Sequence, residues 1–186
     1  GTYFGGLNYL SPNNMNIKTY LPSQRPGGLS GKAISQFCED KKGNLWVATE
    51  DGGVNYFDTK TEQFSHPIKT SYHNIHSLML DNDQLWIGTF SRGIDIYNTS
   101  TKSIKNYRHS PKDEKSLNDD CVFSIYKTKD GIIYVGTAIG LNRYNSQEGD
   151  FTRINSDSIS FVYDIKEDSY KNLWIASYKN GVIKYD

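Results

Sequence analysis

The stretch from Leu85 to Asn98 reads LWIGTFSRGIDIYN, and close copies of it recur along the chain. The copies are LWVATEDGGVNYFD at Leu45 to Asp58, IYVGTAIGLNRYN at Ile133 to Asn145, and LWIASYKNGVIKYD at Leu173 to Asp186. A fifth, partial copy opens the chain at Gly1 to Asn8. Corresponding positions are about 40 to 48 residues apart, which is the period of a four-stranded propeller blade. The repetition therefore predicts radially stacked β-sheets.

Each repeat is expected to contain four strands. Apolar and polar residues alternate in the first strand, the Leu-Trp run forms the second, and a third and a short fourth follow the glycine of each copy. Because one such sheet cannot cover both of its own faces, the blades must stack around an axis. We predict an all-β fragment of a larger β-propeller of four-stranded antiparallel blades. Its repeat units are 33–74, 75–120 and 121–160, with partial units at 1–32 and 161–186.

We assign a structural role to two recurring positions, because every blade must pack against its neighbours in the same way. An aromatic ring recurs in the second strand, and a small residue follows it two places later on the same face, where the two interlock with the next blade. A glycine recurs at the following turn, where we expect the positive φ of a hairpin. The rings are Trp46, Trp86, Tyr134 and Trp174, and the glycines are Gly6, Gly53, Gly93, Gly140 and Gly181.

Composition and charge exclude some classes of function. The 186 residues include 21 Lys and Arg against 21 Asp and Glu, so no net positive charge is available to hold a nucleic-acid backbone. No apolar run approaches the roughly 18 residues that span a bilayer. Nucleic acid is therefore not expected as a partner, and any membrane attachment would have to come from segments outside this chain.

The sequence predicts neither a metal site nor a cofactor. His73 and His76 have no third ligand nearby, and the Asp-Asn-Asp stretch at 81–83 lacks the glycine and the distant glutamate of a calcium loop. Cys38 and Cys121 are expected to be free, mostly buried thiols. The recurring glycines precede strands rather than a helix, so they do not form a phosphate loop.

The repeated motif resembles a known family. The pattern Leu-Trp-Ile-Gly-Thr-x-x-x-Gly-Ile/Leu-x-x-Tyr-Asn/Asp, preceded by an Asp-x-x-Gly-Asn turn, is similar to the two-component regulator propeller repeat. The segments 116–120 (SLNDD) and 28–32 (GLSGK) resemble the linker before the first strand in that family. Individual copies depart from the pattern, since Tyr134 replaces Trp and Ile183 replaces the usual Asn or Asp.

This resemblance implies the periplasmic ligand-sensing region of a hybrid two-component system, attached to an inner-membrane histidine kinase. Such a sensor recognises oligosaccharides released from a target polysaccharide. Its expected partners are a neighbouring propeller, a β-sandwich domain and a second copy of the receptor. Phosphotransfer would belong to the kinase outside this chain, so no catalytic residue is expected here.

Residue chemistry suggests where a sugar would bind. Loops that join strands two and three lie at the same end of a blade as the connections between blades. Functional residues collect in such loops. Aromatic faces suit the apolar faces of sugar rings, while cationic side chains donate hydrogen bonds to hydroxyl, carboxylate or sulfate groups. The candidate ligand-binding residues are Tyr3, Arg25, Phe90, Arg92, Tyr178 and Lys179.

Two other functions remain open from the sequence. The chain could be a protein-interaction or dimerisation scaffold within a receptor. It could instead belong to a propeller glycan lyase or hydrolase, for which the neighbouring carboxylates Glu50-Asp51 and Asp119-Asp120 are the candidates. A glycosidase needs two carboxyl groups roughly 5 to 9 Å apart. Neighbours in a strand point in opposite directions, and acidic residues are common in turns, so a turn or capping role is the simpler interpretation.

Overall fold

A computed structural model describes residues 7–10, 17–154 and 156–185. Within these ranges, every element of regular secondary structure is a β-strand. Strands β1 (Leu7–Leu10) and β2 (Ile17–Tyr20) pair in a two-stranded antiparallel sheet. The strands that follow form four antiparallel sheets, which we call blades I to IV. Within these described ranges, no helix is long and apolar enough to cross a membrane.

The blades follow one another along the chain. Blade I contains β3 (Ile34–Glu39), β4 (Leu45–Thr49), β5 (Gly53–Asp58) and β6 (Gln63–Ser65). Blade II contains β7 (Ile75–Asp81), β8 (Gln84–Thr89), β9 (Ile94–Asn98) and β10 (Ile104–Tyr107). Blade III contains β11 (Val122–Lys127), β12 (Ile133–Thr137), β13 (Leu141–Asn145) and β14 (Asp150–Ile154). Blade IV contains β15 (Val162–Glu167), β16 (Leu173–Ser177) and β17 (Gly181–Tyr185).

Each strand of a blade pairs with the next strand along the chain, which is the up-and-down order of a propeller. The first strands β3, β7, β11 and β15 also contact one another from blade to blade, so they lie nearest the axis. The predicted all-β propeller fold is confirmed.

The hydrophobic core lies between the blades. Trp46 and Ala48 of blade I pack against Ile75 and Ile87 of blade II, and equivalent clusters join blades II to III and III to IV. The rings of Trp46, Trp86 and Tyr134 are accordingly buried. Trp174 is 41% exposed, because no described residue packs on that face of blade IV, and its indole N–H donates to Asp168 Oδ2 at 2.9 Å.

The small residue of the repeat lets the next blade approach. A Cβ at Gly88 would lie 2.7 Å from Val122 Cγ1, and a Cβ at Gly136 would lie 2.7 Å from Val162 Cβ. Both distances are far below van der Waals contact, so only glycine fits where the first strand of the following blade passes. The large and small residues therefore interlock as their spacing predicts.

The turn glycines adopt positive φ in three described copies, with values of 77° at Gly53, 69° at Gly93 and 72° at Gly181. The expectation is wrong at Gly140, whose φ is not positive. That loop is one residue shorter than the others, and a Cβ at Gly140 would lie 2.6 Å from Asn118 Nδ2. Glycine is required at this position by the close approach of the Asn118 side chain, and not by a positive φ. Gly6 lies outside the described residues.

Buried polar side chains on the third strands hold the connections between blades. Asn55 Oδ1 accepts a hydrogen bond from Ser30 N at 2.9 Å, and Asn142 Oδ1 accepts one from Asn118 N at 2.9 Å. Asp95 Oδ2 accepts one from the backbone N–H of residue 71 at 2.6 Å. Each acceptor is almost completely buried. The bonds fix the chain at the end of the blade where the candidate site residues lie.

The cysteines are free thiols, as the sequence predicts. Burial raises the pKa of Cys38 to about 12 and that of Cys121 to about 11. Both thiols therefore remain protonated near neutral pH, and neither is an activated nucleophile.

Candidate functional site

A β-bulge occurs near the start of the first strand in every blade. The pairing of the first with the second strand skips one residue at this point: Ser35, His76, Phe123 and Tyr163 in blades I to IV. A bulge bends the strand and changes the direction of the side chain it carries. Three successive blades place a ring at this position, and all four bulges lie at the same end of the blades.

The residue directly after the second strand is held beside the start of the first strand. In all four blades its backbone N–H donates to the carbonyl oxygen of the residue that precedes the first strand, over 2.9 to 3.2 Å. The four donors in blade order are Glu50, Phe90, Ala138 and Tyr178, and the four acceptors are Ala33, Asn74, Cys121 and Phe161. In each blade this repeated bond holds the loop after the second strand against the segment that enters the first strand. Both lie at the same end of the blade, beside the strand that is nearest the axis.

Six rings from these turns and bulges form a continuous cluster across blades II to IV. The centroid distances are 5.4 Å from Phe90 to His76, 5.2 Å from His76 to Phe123, and 4.9 Å from Phe123 to Tyr163. Tyr178 continues the cluster at 6.1 Å from Tyr163 and 6.2 Å from Phe161. We call this cluster the aromatic band: His76, Phe90, Phe123, Phe161, Tyr163 and Tyr178.

The aromatic band presents apolar surface to solvent. Phe90 is 43% exposed, Tyr163 is 53% exposed and Tyr178 is 75% exposed. A cavity of about 740 Å³ runs along the first strands, and His76, Phe123 and Tyr163 of the band line its wall. Exposed apolar surface of this kind makes the aromatic band the candidate binding site.

The charges beside the band differ between its two ends. Lys179 Nζ lies 5.2 Å from the ring centroid of Phe161 in blade IV. In blade I, Glu50 occupies the position that Phe90 and Tyr178 hold in blades II and IV. Burial lowers the pKa of His76, although the negative charge of Glu50 acts in the opposite direction. The imidazole is therefore neutral at pH 7, and its buried Nε2 has no hydrogen-bond partner.

The structure brings together three of the residues that the sequence singled out, Phe90, Tyr178 and Lys179. Arg92 lies on the outer side of its loop, where its carbonyl accepts a hydrogen bond from Asn106 of the outermost strand at 2.9 Å. Arg25 lies on a separate cavity between residues 22 and 30. The two arginines are therefore not part of the aromatic band. Tyr3 lies outside the described residues.

Sequence reasoning missed His76, Phe123, Phe161 and Tyr163. Alternation predicts that these residues are ordinary members of a first strand, in which half of the side chains pack between blades. A signal was available, because a ring directly follows the β-branched residue that opens the strand in three successive repeats. Pattern alone did not reveal that a bulge removes this residue from the alternation.

Three of the four carboxylates considered for glycosidase chemistry are bound to backbone. Asp51 accepts hydrogen bonds from Lys32 N at 3.0 Å and Ala33 N at 3.2 Å. Asp119 accepts one from the backbone N–H of residue 121 at 2.8 Å, and Asp120 accepts one from that of residue 109 at 2.7 Å. These three carboxylates cap turns, in agreement with the turn interpretation of their sequence positions.

The acidic 81–83 turn is also engaged within the protein. Asp81 pairs with Lys127 Nζ at 2.6 Å, and Asp83 accepts a hydrogen bond from Ser100 Oγ at 3.0 Å. In the part of the chain that the structure describes, no three His, Cys, Asp or Glu residues are grouped as a metal site would require.

Known proteins resemble this chain in sequence and in fold. Residues 28–51, 116–138 and 156–179 match the family described as two component regulator propeller. A curated relative, histidine kinase P4 of Formosa agariphila, is 31% identical over 179 residues, which are 93% of this chain and 13% of the kinase.

Two solved structures from B. thetaiotaomicron share the fold. The extracellular domain of a hybrid two component system superimposes with a TM-score of 0.85 at 26% identity, covering 100% of this chain and 25% of that domain. The extracellular domain of a one component system gives a TM-score of 0.76 at 21% identity, with 97% and 25% covered. The blades thus correspond to part of a larger propeller region, and segments of blades I, III and IV match the two-component regulator propeller family.

Proposed function

We propose that this chain belongs to the periplasmic sensor region of a hybrid two-component system and contributes a binding surface for an oligosaccharide. The observation that carries the proposal is the aromatic band, in which rings from three successive blades meet at one end of the propeller. The similarity to an extracellular domain of a hybrid system and to a histidine kinase supports the cellular role.

The physical basis is the match between exposed rings and sugars. A pyranose ring presents C–H groups on its faces, and these pack on the face of an aromatic side chain. Successive centroids in the band are 4.9 to 6.1 Å apart from Phe123 through Tyr163 to Tyr178. Phe123 stacks against Tyr163, so the exposed neighbouring rings are Tyr163 and Tyr178, and their 6.1 Å spacing offers contacts to consecutive sugar residues rather than to one monosaccharide.

Signalling requires more than binding. A ligand shifts a receptor between two states only if it binds them with different affinity. A ligand that also contacts a neighbouring propeller, a sandwich domain or a second receptor copy would provide this difference. Kinase activity would lie outside this chain, and its own residues would bind the signal without chemistry.

The test is calorimetric titration of a protein that contains the complete propeller with neutral, uronic and sulfated oligosaccharides, followed by product analysis of each mixture. Saturable binding without new products is the expected result. New cleavage products would instead support a propeller enzyme, and the absence of binding across the panel would contradict sugar sensing.

The face of blade IV that corresponds to the inter-blade faces of blades I to III is exposed. Val182 is 70% exposed, whereas the equivalent Val54, Ile94 and Leu141 are buried by the next blade. A surface that repeats an inter-blade face is suited to cover by another sheet. The next blade of the larger propeller is therefore the expected cover of this face.

A further inference from the structure

The aromatic band is electrostatically asymmetric. At its blade I end lies Glu50, in the position that carries a ring in blades II and IV. Glu50 is half-buried as a residue, and its carboxylate has no hydrogen bond or ion pair within the described residues. At the blade IV end, the ammonium group of Lys179 lies over Phe161.

The neighbours of Glu50 do not reverse the negative charge of that end. Asp51 adds a second carboxylate, which is bound to the backbone N–H groups of Lys32 and Ala33. The side chain of Lys32 supplies one positive charge, so the three side chains sum to one negative charge. Burial among rings lowers the pKa of His76, which leaves the imidazole neutral.

We infer that the band selects its ligand by charge along its length: the Glu50 end takes a neutral sugar residue, and the Lys179 end takes a sugar that carries a carboxylate or sulfate. The inference rests on the function proposed above. Hydroxyl groups of a neutral sugar can donate hydrogen bonds to an unpaired carboxylate. A carboxylate or sulfate placed there would be repelled, and the repulsion is strongest where water is partly excluded.

The experiment compares matched neutral and anionic tetrasaccharides on a protein that contains the complete propeller. The probes are tetramers of β-1,4-glucan and β-1,4-glucuronan, and of β-1,4-mannan and β-1,4-mannuronan. The variants are Glu50→Gln and Lys179→Gln, each of which removes one charge with little change in shape. Glu148→Gln is the matched control, because Glu148 lies in the turn between β13 and β14 at the opposite end of blade III.

We expect the two variants to change the ratio of uronate affinity to neutral-sugar affinity in opposite directions. Glu50→Gln raises the affinity for a uronate, relative to its neutral counterpart, by about three- to tenfold, and Lys179→Gln lowers this ratio by a similar factor. Glu148→Gln leaves the ratio as in the wild type.

Failure of this inference is distinguishable from failure of the proposed function. If either variant leaves the uronate-to-neutral ratio unchanged while Tyr163→Ala still weakens binding at least about tenfold, the charge selection is wrong and the sugar site stands. If the wild-type protein binds none of the four tetramers, the charge selection is wrong, and the sugar site itself is contradicted only when the whole panel of neutral, uronic and sulfated oligosaccharides also fails to bind.

Discussion

Phe123 and Tyr163 stack with their ring centroids 4.9 Å apart and their planes inclined by only 17°. They belong to neighbouring blades, and each is the bulge residue of its first strand. The stack therefore connects blades III and IV at the end where the candidate site lies. It places one ring partly behind the other, so the exposed Tyr163 offers a supported face rather than a freely rotating side chain.

This stack is expected to contribute to stability as a coupled pair. Replacing Phe123 and Tyr163 by Leu, singly and together, should reveal a coupling of about 0.5–1.5 kcal/mol in the free energy of unfolding. Chemical denaturation of the two single variants and the double variant measures it. Effects that add within about 0.3 kcal/mol would show that the rings are adjacent without interacting.

Gly88 should tolerate no side chain while Val122 remains in place. The added methyl of Gly88→Ala would overlap Val122 Cγ1, so we expect the free energy of unfolding to fall by about 1–3 kcal/mol. In a Val122→Ala background most of this additional loss should disappear, because the overlapping methyl is gone. An equal loss of stability in both backgrounds would show that overlap with Val122 is not the cause.

Asn142 should stabilise the connection between blades II and III. Its Oδ1 accepts a hydrogen bond from Asn118 N, and its Nδ2 donates to Asn118 Oδ1 at 2.7 Å. Asn142→Leu leaves the buried Asn118 N–H without this acceptor, while Asn118 Oδ1 keeps its hydrogen bond from Thr137 Oγ1, and the free energy of unfolding should fall by about 1–3 kcal/mol. Gln147→Leu, in the exposed turn after β13, is the control, and a loss no larger than in this control would contradict the role.

His76 should make stability fall under mildly acidic conditions. Burial lowers its pKa below the ordinary value of 6.5, so below pH 6.5 the unfolded chain binds more protons at this residue than the folded chain does. The free energy of unfolding therefore decreases as the pH falls from 6.5 through the folded-state pKa. His76→Phe should reduce this decrease in denaturation experiments between pH 7.5 and 5, and an unchanged pH dependence would contradict the assignment.

Much of the fold could be predicted from sequence because it depends on repetition. The rings of Trp46 and Trp86 and the small residues at Ala48 and Gly88 recur, since each inter-blade contact has the same geometry. The exception at Gly140 follows from a shortened loop. A single deletion changes local backbone geometry without changing the hydrophobic pattern, so the pattern could not reveal it.

The candidate site was less accessible to sequence reasoning, because it lies where the repeats differ. Loop position pointed correctly to the neighbourhood of Phe90, Tyr178 and Lys179, whereas Arg92 shares a loop with Phe90 but lies on its outer side. Phe123 and Tyr163 depend on a bulge that strict alternation cannot predict. Sequence therefore identified the end of the propeller, and the structure identified which side chains meet there.

Above all, we propose that the aromatic band binds an oligosaccharide without cleaving it. The most direct measurement is calorimetric titration of the wild type, Tyr163→Ala and Tyr170→Ala with the tightest-binding oligosaccharide of the panel, in a protein that contains the complete propeller. Tyr170 is the control, because it is also an exposed tyrosine but lies in the turn between β15 and β16 at the other end of blade IV. We predict that Tyr163→Ala weakens binding at least about tenfold, while Tyr170→Ala binds as the wild type does. Equal affinity in all three proteins, or cleavage of the sugar, would contradict the account.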